Sequence, residues 1–274
     1  MGVDEALLAS AVRTGRPSLR FYRWQGPWLS LGYGQILDRE RIEACRHAGV
    51  GVVRRVTGGR AVLHGRDLTY ALAAREGQLP AGLMASYELV AGILIRALES
   101  LGVEADAGPV PSRQDPVPSR QEEGFQHRVQ TVPKAAVGLP ERVGFDCFAR
   151  PASREICVGG RKLAGSAQRR ARNGILQHGS IRLTPDPLKA RRASSLSGAG
   201  ATSLAELGVT SDPGVLQAAC VAAFEQALGG FEVSALTAED RAAADERAQN
   251  HRCDSIFAAQ GDAQRTSRQP LAGR

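Results

Sequence analysis

Cys147 and Lys162 stand fifteen residues apart in a chain that otherwise hardly uses lysine. Of its 35 basic residues only three are lysine, Lys134, Lys162 and Lys189. Arginine is permanently charged, whereas a lysine amine shifts its pKa readily and places a compact point charge. A lysine inside a motif therefore hints at chemistry that arginine cannot do. Cysteine attacks as its thiolate and needs a nearby cation or base to supply that form at neutral pH. Lys162 would serve if its strand folds back to face the loop that carries Cys147. Without such a neighbour, Cys147 is a half-buried inert thiol.

Two glycine-containing stretches surround this pair. In "RRVTGGRAVLH" (54–64) a Gly-Gly turn lies between valine-rich strands, as in a hairpin where backbone must approach backbone or ligand. It is neither a P-loop nor a dinucleotide fingerprint. His64 by itself reads equally as a hydrogen-bonded structural histidine. In "GGRKLAGSAQRR" (159–170) the small residues Gly165, Ser166 and Ala167 follow Lys162 and would leave room for a ligand carbonyl or thioester. "QHGS" (177–180) sets His178 against another glycine. A close-packed sheet with a surface lysine would show the same residues.

The elements that must position these side chains are legible from periodicity. A short helix is expected over 4–13, a β-hairpin over 19–35, a helix over 38–48 and strands over 49–56 and 67–74. Residues 86–103 carry Leu89, Ile93, Ala97 and Leu101 at spacings of four, a helix with Ser86 as N-cap. Strand–turn–strand is expected over 154–168 and a further strand over 174–183. A helix follows at 214–228, and Thr237 with Asp240 resembles a capping box for a last helix over 238–249. Hairpins and separate helices without βαβ alternation indicate an α+β fold, a mixed but mostly antiparallel sheet flanked by helices. The expected organisation is a single domain over 1–250 and a polar, frayed tail over 251–274. Within the domain, 108–124 repeats the word VPSRQ at a period of seven and carries four prolines, which reads as a disordered insertion.

Composition narrows the function classes. The net charge of +7 favours an acidic partner, but with only 5% aromatic residues there is no aromatic-interleaved basic stripe, so nucleic acid is not expected. No apolar run is long enough to span a membrane, and the acidic start of the sequence is not a secretory signal, so the expected compartment is the cytoplasm. Five scattered cysteines with no C-x-x-C pair support neither a disulfide framework nor a zinc site, and no metal is expected.

Taken in order, "MGVDEALL", "LRFYRW…LSLGYGQ", "RRVTGGRAVLH…LTYAL", "CFARPASREICVGGRKLAGSAQRR" and "GILQHGSI" resemble the lipoate–protein ligase A and octanoyltransferase superfamily, whose catalytic domain is related to biotin–protein ligase. The resemblance covers roughly residues 1–210. It implies a biotin/lipoate-protein-ligase-like domain with an acyl chain held beside the sheet. Arg54, Thr57, Gly58, Gly59 and His64 match the pocket loop. Lys162, Gly165, Ser166 and Ala167 match the strand that faces the acyl carbonyl, and His178 belongs to the neighbouring block. In one octanoyltransferase branch the nucleophilic cysteine precedes a P-S-x-x-E segment and lies fifteen residues ahead of the lysine. Here Cys147 and Lys162 keep that distance, with Pro151, Ser153 and Glu155 between them. Arg60, where many ligases carry a third glycine, also resembles that branch.

The resemblance therefore implies transfer of octanoate from acyl carrier protein, through a Cys147 thioester, to a lysine of the glycine cleavage H protein or an E2 lipoyl domain, with no cofactor. The alternative is an ATP-dependent lipoate ligase, which would use ATP and Mg2+ and pass through lipoyl-adenylate. A further alternative is a catalytically impaired homologue that binds lipoyl domains. The family has a strand before the helix corresponding to residues 3–13, and this sequence begins almost at that helix. Arg154 replaces the tyrosine common before the glutamate.

Overall fold

A computed structural model describes residues 1–108, 146–148, 155–171 and 173–251. Most of the 108–124 insertion, Pro151, Ser153, Arg154 and the tail from 252 lie outside the described residues.

The chain runs α1 (Gly2–Thr14), β1 (Ser18–Tyr22), β2 (Trp28–Leu31), α2 (Arg39–His47), β3 (Gly51–Arg54), β4 (Val62–His64), β5 (Asp67–Arg75), α3 (Leu83–Glu99) and β6 (Asp106–Ala107). Further along the chain come β7 (Ile156–Val158), β8 (Arg161–Ala171), β9 (Gly174–Arg182), α4 (Leu188–Ser194), α5 (Pro213–Leu228) and α6 (Ala238–His251). A six-stranded sheet has the order β1-β5-β9-β8-β7-β6 with every pair antiparallel. A three-stranded sheet has the order β3-β2-β4, with β2–β3 parallel and β2–β4 antiparallel. The α+β class with a mostly antiparallel sheet is thus the observed fold.

β5 and β9 are central and buried along nearly their whole lengths. Alternation along β5 splits its load. Leu68, Tyr70, Leu72 and Ala74 enter the main core with Ile93, Leu94 and Leu98 of α3 and Leu216 and Phe224 of α5. Ala71 and Ala73 on the opposite face pack with Leu176 under Leu7 and Ala11 of α1. The small sheet closes its own core, where Leu29, Leu31 and Val52 meet Ile42 and Cys45 of α2 and Ala190 of α4. Each fully buried side chain of leucine size contributes about 1.5–3 kcal/mol.

The helix boundaries have local causes. Asp38 caps α2 by accepting from Arg41 N–H, and Asp212 caps α5 with Pro213 at its first turn. Thr237 Oγ1 accepts from Asp240 N–H and donates back to its carboxylate, the expected capping arrangement for α6. α6 packs on α1 and runs to His251, one residue past the expected edge of the domain. There the His251 ring meets Glu5 Oε2 at 2.8 Å and the Arg54 carbonyl at 2.7 Å.

Three local expectations are corrected. Residues 19–35 do not form a hairpin: β1 pairs with β5 and β2 with β3 and β4, so the chain changes sheet at Gly26-Pro27. The Gly58-Gly59 turn is not a hairpin turn either. β3 and β4 flank β2 on opposite sides, so the 55–61 segment is a crossing that must pass the end of β2. Ser86 is not an N-cap. α3 begins three residues earlier, and Ser86 Oγ donates to the carbonyls of Gly82 and Leu83.

Candidate active site

β8 contains the decisive irregularity. Ile156 pairs with Ala164 but Cys157 pairs with Lys162, which leaves Leu163 as the extra residue of a β-bulge. Leu163 and Ala164 consequently enter the same core, although consecutive strand residues ordinarily face opposite ways. The same slip puts Lys162 and Gly165 on one side. The Lys162 chain lies over Gly165, where a Cβ would sit 2.7 Å from Lys162 Cε and 2.8 Å from Nζ. Gly165 therefore clears a path for the lysine first, although it also borders the cavity.

Lys162 is fully buried, and its Nζ donates to Cys147 Sγ at 3.0 Å, to the Cys147 carbonyl at 2.9 Å and to Glu155 Oε1. Burial alone would lower its pKa, but the Cys147 sulfur and the Glu155 carboxylate outweigh burial and raise it. The lysine is thus an ammonium set against a sulfur. Cys147 is held from two directions. Its N–H donates to the Ala61 carbonyl at 3.0 Å, just after the Gly-Gly crossing. Asp146 accepts from Gly198 N–H at 2.9 Å and from Phe148 N–H at 2.8 Å. The Phe148 ring lies 4.7 Å from the lysine nitrogen and 5.0 Å from the Arg182 guanidinium.

The other described cysteines are chemically different. Burial pushes the Cys45 thiol up to about 11 and that of Cys220 to about 12, and it raises Cys157 as well. Cys147 is the half-buried one among them, and its side chain borders a cavity of about 580 Å³. That volume lies in the ordinary range for a small-molecule site. The lining is mostly apolar, with Leu83, Met84 and Tyr87 of α3 on one side and Val62 and Ala167 on another.

The opposite polar wall is built around Arg55. Its guanidinium donates to Ser30 O and Ser30 Oγ at 3.0 Å each, to Gly58 O at 3.0 Å and to Arg60 O at 2.7 Å. These bonds fix the crossing segment. Gly32 makes the fit possible, since a Cβ there would lie 1.9 Å from the Gly59 carbonyl oxygen. Gly59 itself has φ +92°, a left-handed conformation that favours glycine.

The residues singled out in the sequence divide accordingly. Cys147, Gly59, His64, Gly165, Ser166, Ala167 and His178 all border the cavity, whereas Lys162 is fully buried and bears on it through Cys147 and Glu155. Thr57 stands behind it, fully buried, with its hydroxyl 2.6 Å from His178 Nε2. Gly58 contributes its carbonyl to Arg55. Arg54 faces away from the cavity and donates to the carbonyls of Gly32, Tyr33 and Gln35. Adjacent strand residues point oppositely, so of the two neighbouring arginines the second, Arg55, is the pocket residue. Sequence reasoning missed Arg55 in this role, as well as Ser30, Tyr87, Asp146 and the contact of Glu155 with Lys162. The Arg-Arg doublet and the aspartate next to Cys147 were the available signals. Among the described residues no cluster of three His, Cys, Asp or Glu could hold a metal ion, and no helix is long and apolar enough to cross a membrane.

Comparison with known proteins identifies the family. The family model for the lipoyl protein ligase A/B catalytic domain matches residues 1–228. The chain is 40% identical over 189 residues to the octanoyltransferase LipM of Moorella thermoacetica, an alignment covering 67% of this chain and 60% of that protein. It is 41% identical over 191 residues to LipM of Kyrpidia tusciae, covering 68% and 62%. With LipM of Symbiobacterium thermophilum the identity is 36% over 250 residues, covering 84% and 81%. The chain thus spans about three fifths of the length of the first two of these relatives. The solved structure of a lipoate-protein ligase A bound with ATP superimposes with a TM-score of 0.67 at 19% identity, covering 90% of this chain and 87% of that one. A bipartite lipoate protein ligase from Thermoplasma acidophilum gives 0.61 at 18%, covering 90% and 85%. At these identities the structures share the fold, while the family model covers most of the chain. The chain belongs to the lipoyl protein ligase A/B catalytic domain family.

Proposed function

We propose that this chain is an acyltransferase that moves an octanoyl group from acyl carrier protein, through a thioester on Cys147, to a lysine of a lipoyl-bearing protein such as the glycine cleavage H protein or an E2 lipoyl domain. The observation that carries this reading is the 3.0 Å contact between Lys162 Nζ and Cys147 Sγ at the edge of a mostly apolar cavity. The identity to LipM octanoyltransferases supports the same reaction.

In the first half-reaction the Cys147 thiolate attacks the carbonyl carbon of the donor thioester. The Lys162 ammonium stabilises the thiolate before attack and lies beside the carbonyl oxygen as it gains charge. The carrier thiolate leaves and takes a proton from solvent. Exchange of one thioester for another is near thermoneutral, so no nucleotide is needed. In the second half-reaction an acceptor amine attacks the Cys147 thioester and amide formation drives the step. The apolar walls hold the alkyl chain, and the surplus of positive charge on the chain suits acidic carrier surfaces.

The test is intact-mass spectrometry after mixing with octanoyl acyl carrier protein. The expected result is one octanoyl adduct, labile to hydroxylamine and absent from Cys147→Ala. An adduct that survives Cys147→Ala, or lipoate-dependent exchange of pyrophosphate into ATP without any adduct, would overturn the reading and favour a ligase.

A further inference from the structure

Ser30, His64 and Asp67 form a connected chain beside the cavity, built by three separate elements. Asp67 opens β5, and its Oδ2 lies 2.7 Å from His64 Nδ1 at the end of β4. His64 Nε2 lies 2.8 Å from Ser30 Oγ in β2. All three side chains are more than nine-tenths buried. Burial would push the Asp67 carboxyl up, but His64 and the bonds from Ser180 and Gly65 hold it down. An ionised carboxylate only accepts, so Nδ1 directs a proton at Asp67, and in the neutral tautomer with that proton Nε2 accepts from the Ser30 hydroxyl. The ring is fixed by stacking on Trp24 at 4.4 Å, and the Trp24 indole N–H donates to Thr69, whose hydroxyl donates to Asp67. His64 and Ser30 both border the cavity that Cys147 borders.

Such a chain is more than a packing device. A lysine amine arriving from an acceptor protein is protonated at neutral pH, with an ordinary pKa of about 10.4, and cannot attack a carbonyl until it loses a proton. Lys162 is poorly placed to take that proton, because Glu155 holds its nitrogen as an ammonium. A base distinct from the Cys147–Lys162 pair is needed, and the His64 imidazole, braced by Asp67 on one side and bonded to Ser30 on the other, has the required geometry.

We propose that Ser30, His64 and Asp67 are a proton relay serving the second half-reaction, in which the acceptor amine is deprotonated, while Cys147 and Lys162 serve the first. The amine gives a proton to Ser30 Oγ as Ser30 passes its own to His64 Nε2, leaving an imidazolium held against Asp67. The neutral nitrogen then bonds to the thioester carbon, the C–S bond breaks, and the nitrogen's surplus proton goes to the departing Cys147 sulfur. His64 finally releases its proton to solvent. Arg55, which donates to Ser30 Oγ at 3.0 Å, leaves that oxygen a second lone pair for the incoming proton.

This inference rests on the proposed transfer reaction, and one step-resolved experiment separates the two. Octanoyl adduct formation on Cys147 is timed first, and its discharge is timed second, with an acceptor domain and with hydroxylamine. Hydroxylamine is largely unprotonated at neutral pH and needs no base. Asp67→Asn and His64→Gln should form the adduct within about threefold of the parent rate and discharge it to hydroxylamine normally. Their discharge to the acceptor lysine should fall by on the order of 10²-fold or more. Equal slowing with both acceptors would mean that the variants merely disturb the site, and undiminished transfer to lysine would remove the relay; either overturns the inference. Absence of any adduct on the parent chain would overturn the transfer reaction instead. Should His64→Gln fail to fold, Ser30→Ala and Asp67→Asn supply the same comparison.

Discussion

Lys162 and Arg55 are both buried cations beside one cavity, Arg55 in its wall and Lys162 behind the wall residue Cys147, and they are held in contrasting ways. Lys162 faces a sulfur and a carboxylate, and its chain threads over a glycine through a bulge. Among the described residues Arg55 has only neutral oxygens as hydrogen-bond partners, four of them, drawn from Ser30, Gly58 and Arg60. A compact ammonium beside a half-buried thiol can respond as charge moves. A planar guanidinium whose bonds all go to fixed oxygens sets a shape. The cysteine–lysine side does chemistry and the arginine wall holds the pocket.

The contrast breaks first at the sulfur. Cys147→Ala should abolish acyl transfer, a loss on the order of 10⁴-fold or more, while thermal unfolding moves by little, because the side chain is small and half-exposed. Activity assays and calorimetry on one preparation check both halves.

Gly165→Ala sharpens the lysine side of the comparison. The added methyl would meet Lys162 Nζ at 2.8 Å and must displace it from Cys147. A shift of about 1 Å costs on the order of 10²-fold in rate. The rate of adduct formation on Cys147 should fall by that amount, with the affinity for donor nearly unchanged.

Arg55→Lys tests the other wall. A lysine cannot reproduce the fork that joins Ser30 to the crossing segment, and the loss is expected to cost about 2 kcal/mol of stability. KM should rise more than kcat falls, since the pocket shape suffers before the reacting atoms do. Denaturant titration and steady-state kinetics report the two effects.

The smallest effect lies beneath the site, at Asp4. Burial would raise this carboxyl, but His178, the Met1 ammonium and Arg20 together outweigh burial and hold it well below the usual range. A depressed carboxylate contributes its stability in full above about pH 4, the ordinary aspartate value, and loses it as pH falls towards the folded value. Asp4→Asn should therefore destabilise the protein at pH 7 by about 3 kcal/mol and flatten the acid limb of the stability curve. Unchanged acid sensitivity would place the titrating group elsewhere.

Much of this was legible in the sequence, and the misses have physical reasons. The scarcity of lysine drew attention to Lys162, and the family resemblance, with its fifteen-residue distance, implied Cys147 as the partner that the fold brings to it. Helices announced themselves through caps and periodicity, as at Thr237 and Asp240. The bulge at Leu163 was not legible, because a bulge shifts the two-residue period without changing composition. Sheet membership was hidden too: Gly26-Pro27 signals a turn, but not that the chain leaves one sheet for another. Arg54 and Arg55 differ only in which way a strand residue points, and that depends on the register of β3 against β2. Hydrogen-bond networks such as Ser30–His64–Asp67 join residues from three strands and leave no local signature.

The central claim is that Cys147 carries the acyl group on the way to the acceptor. The most direct measurement isolates the octanoyl-loaded chain free of donor and mixes it with a lipoyl acceptor domain in the absence of ATP, following both masses with time. The account predicts that octanoate leaves Cys147 and appears on the acceptor lysine at least as fast as steady-state turnover. A loaded chain that keeps its octanoate, or surrenders it only when ATP is added, would contradict it.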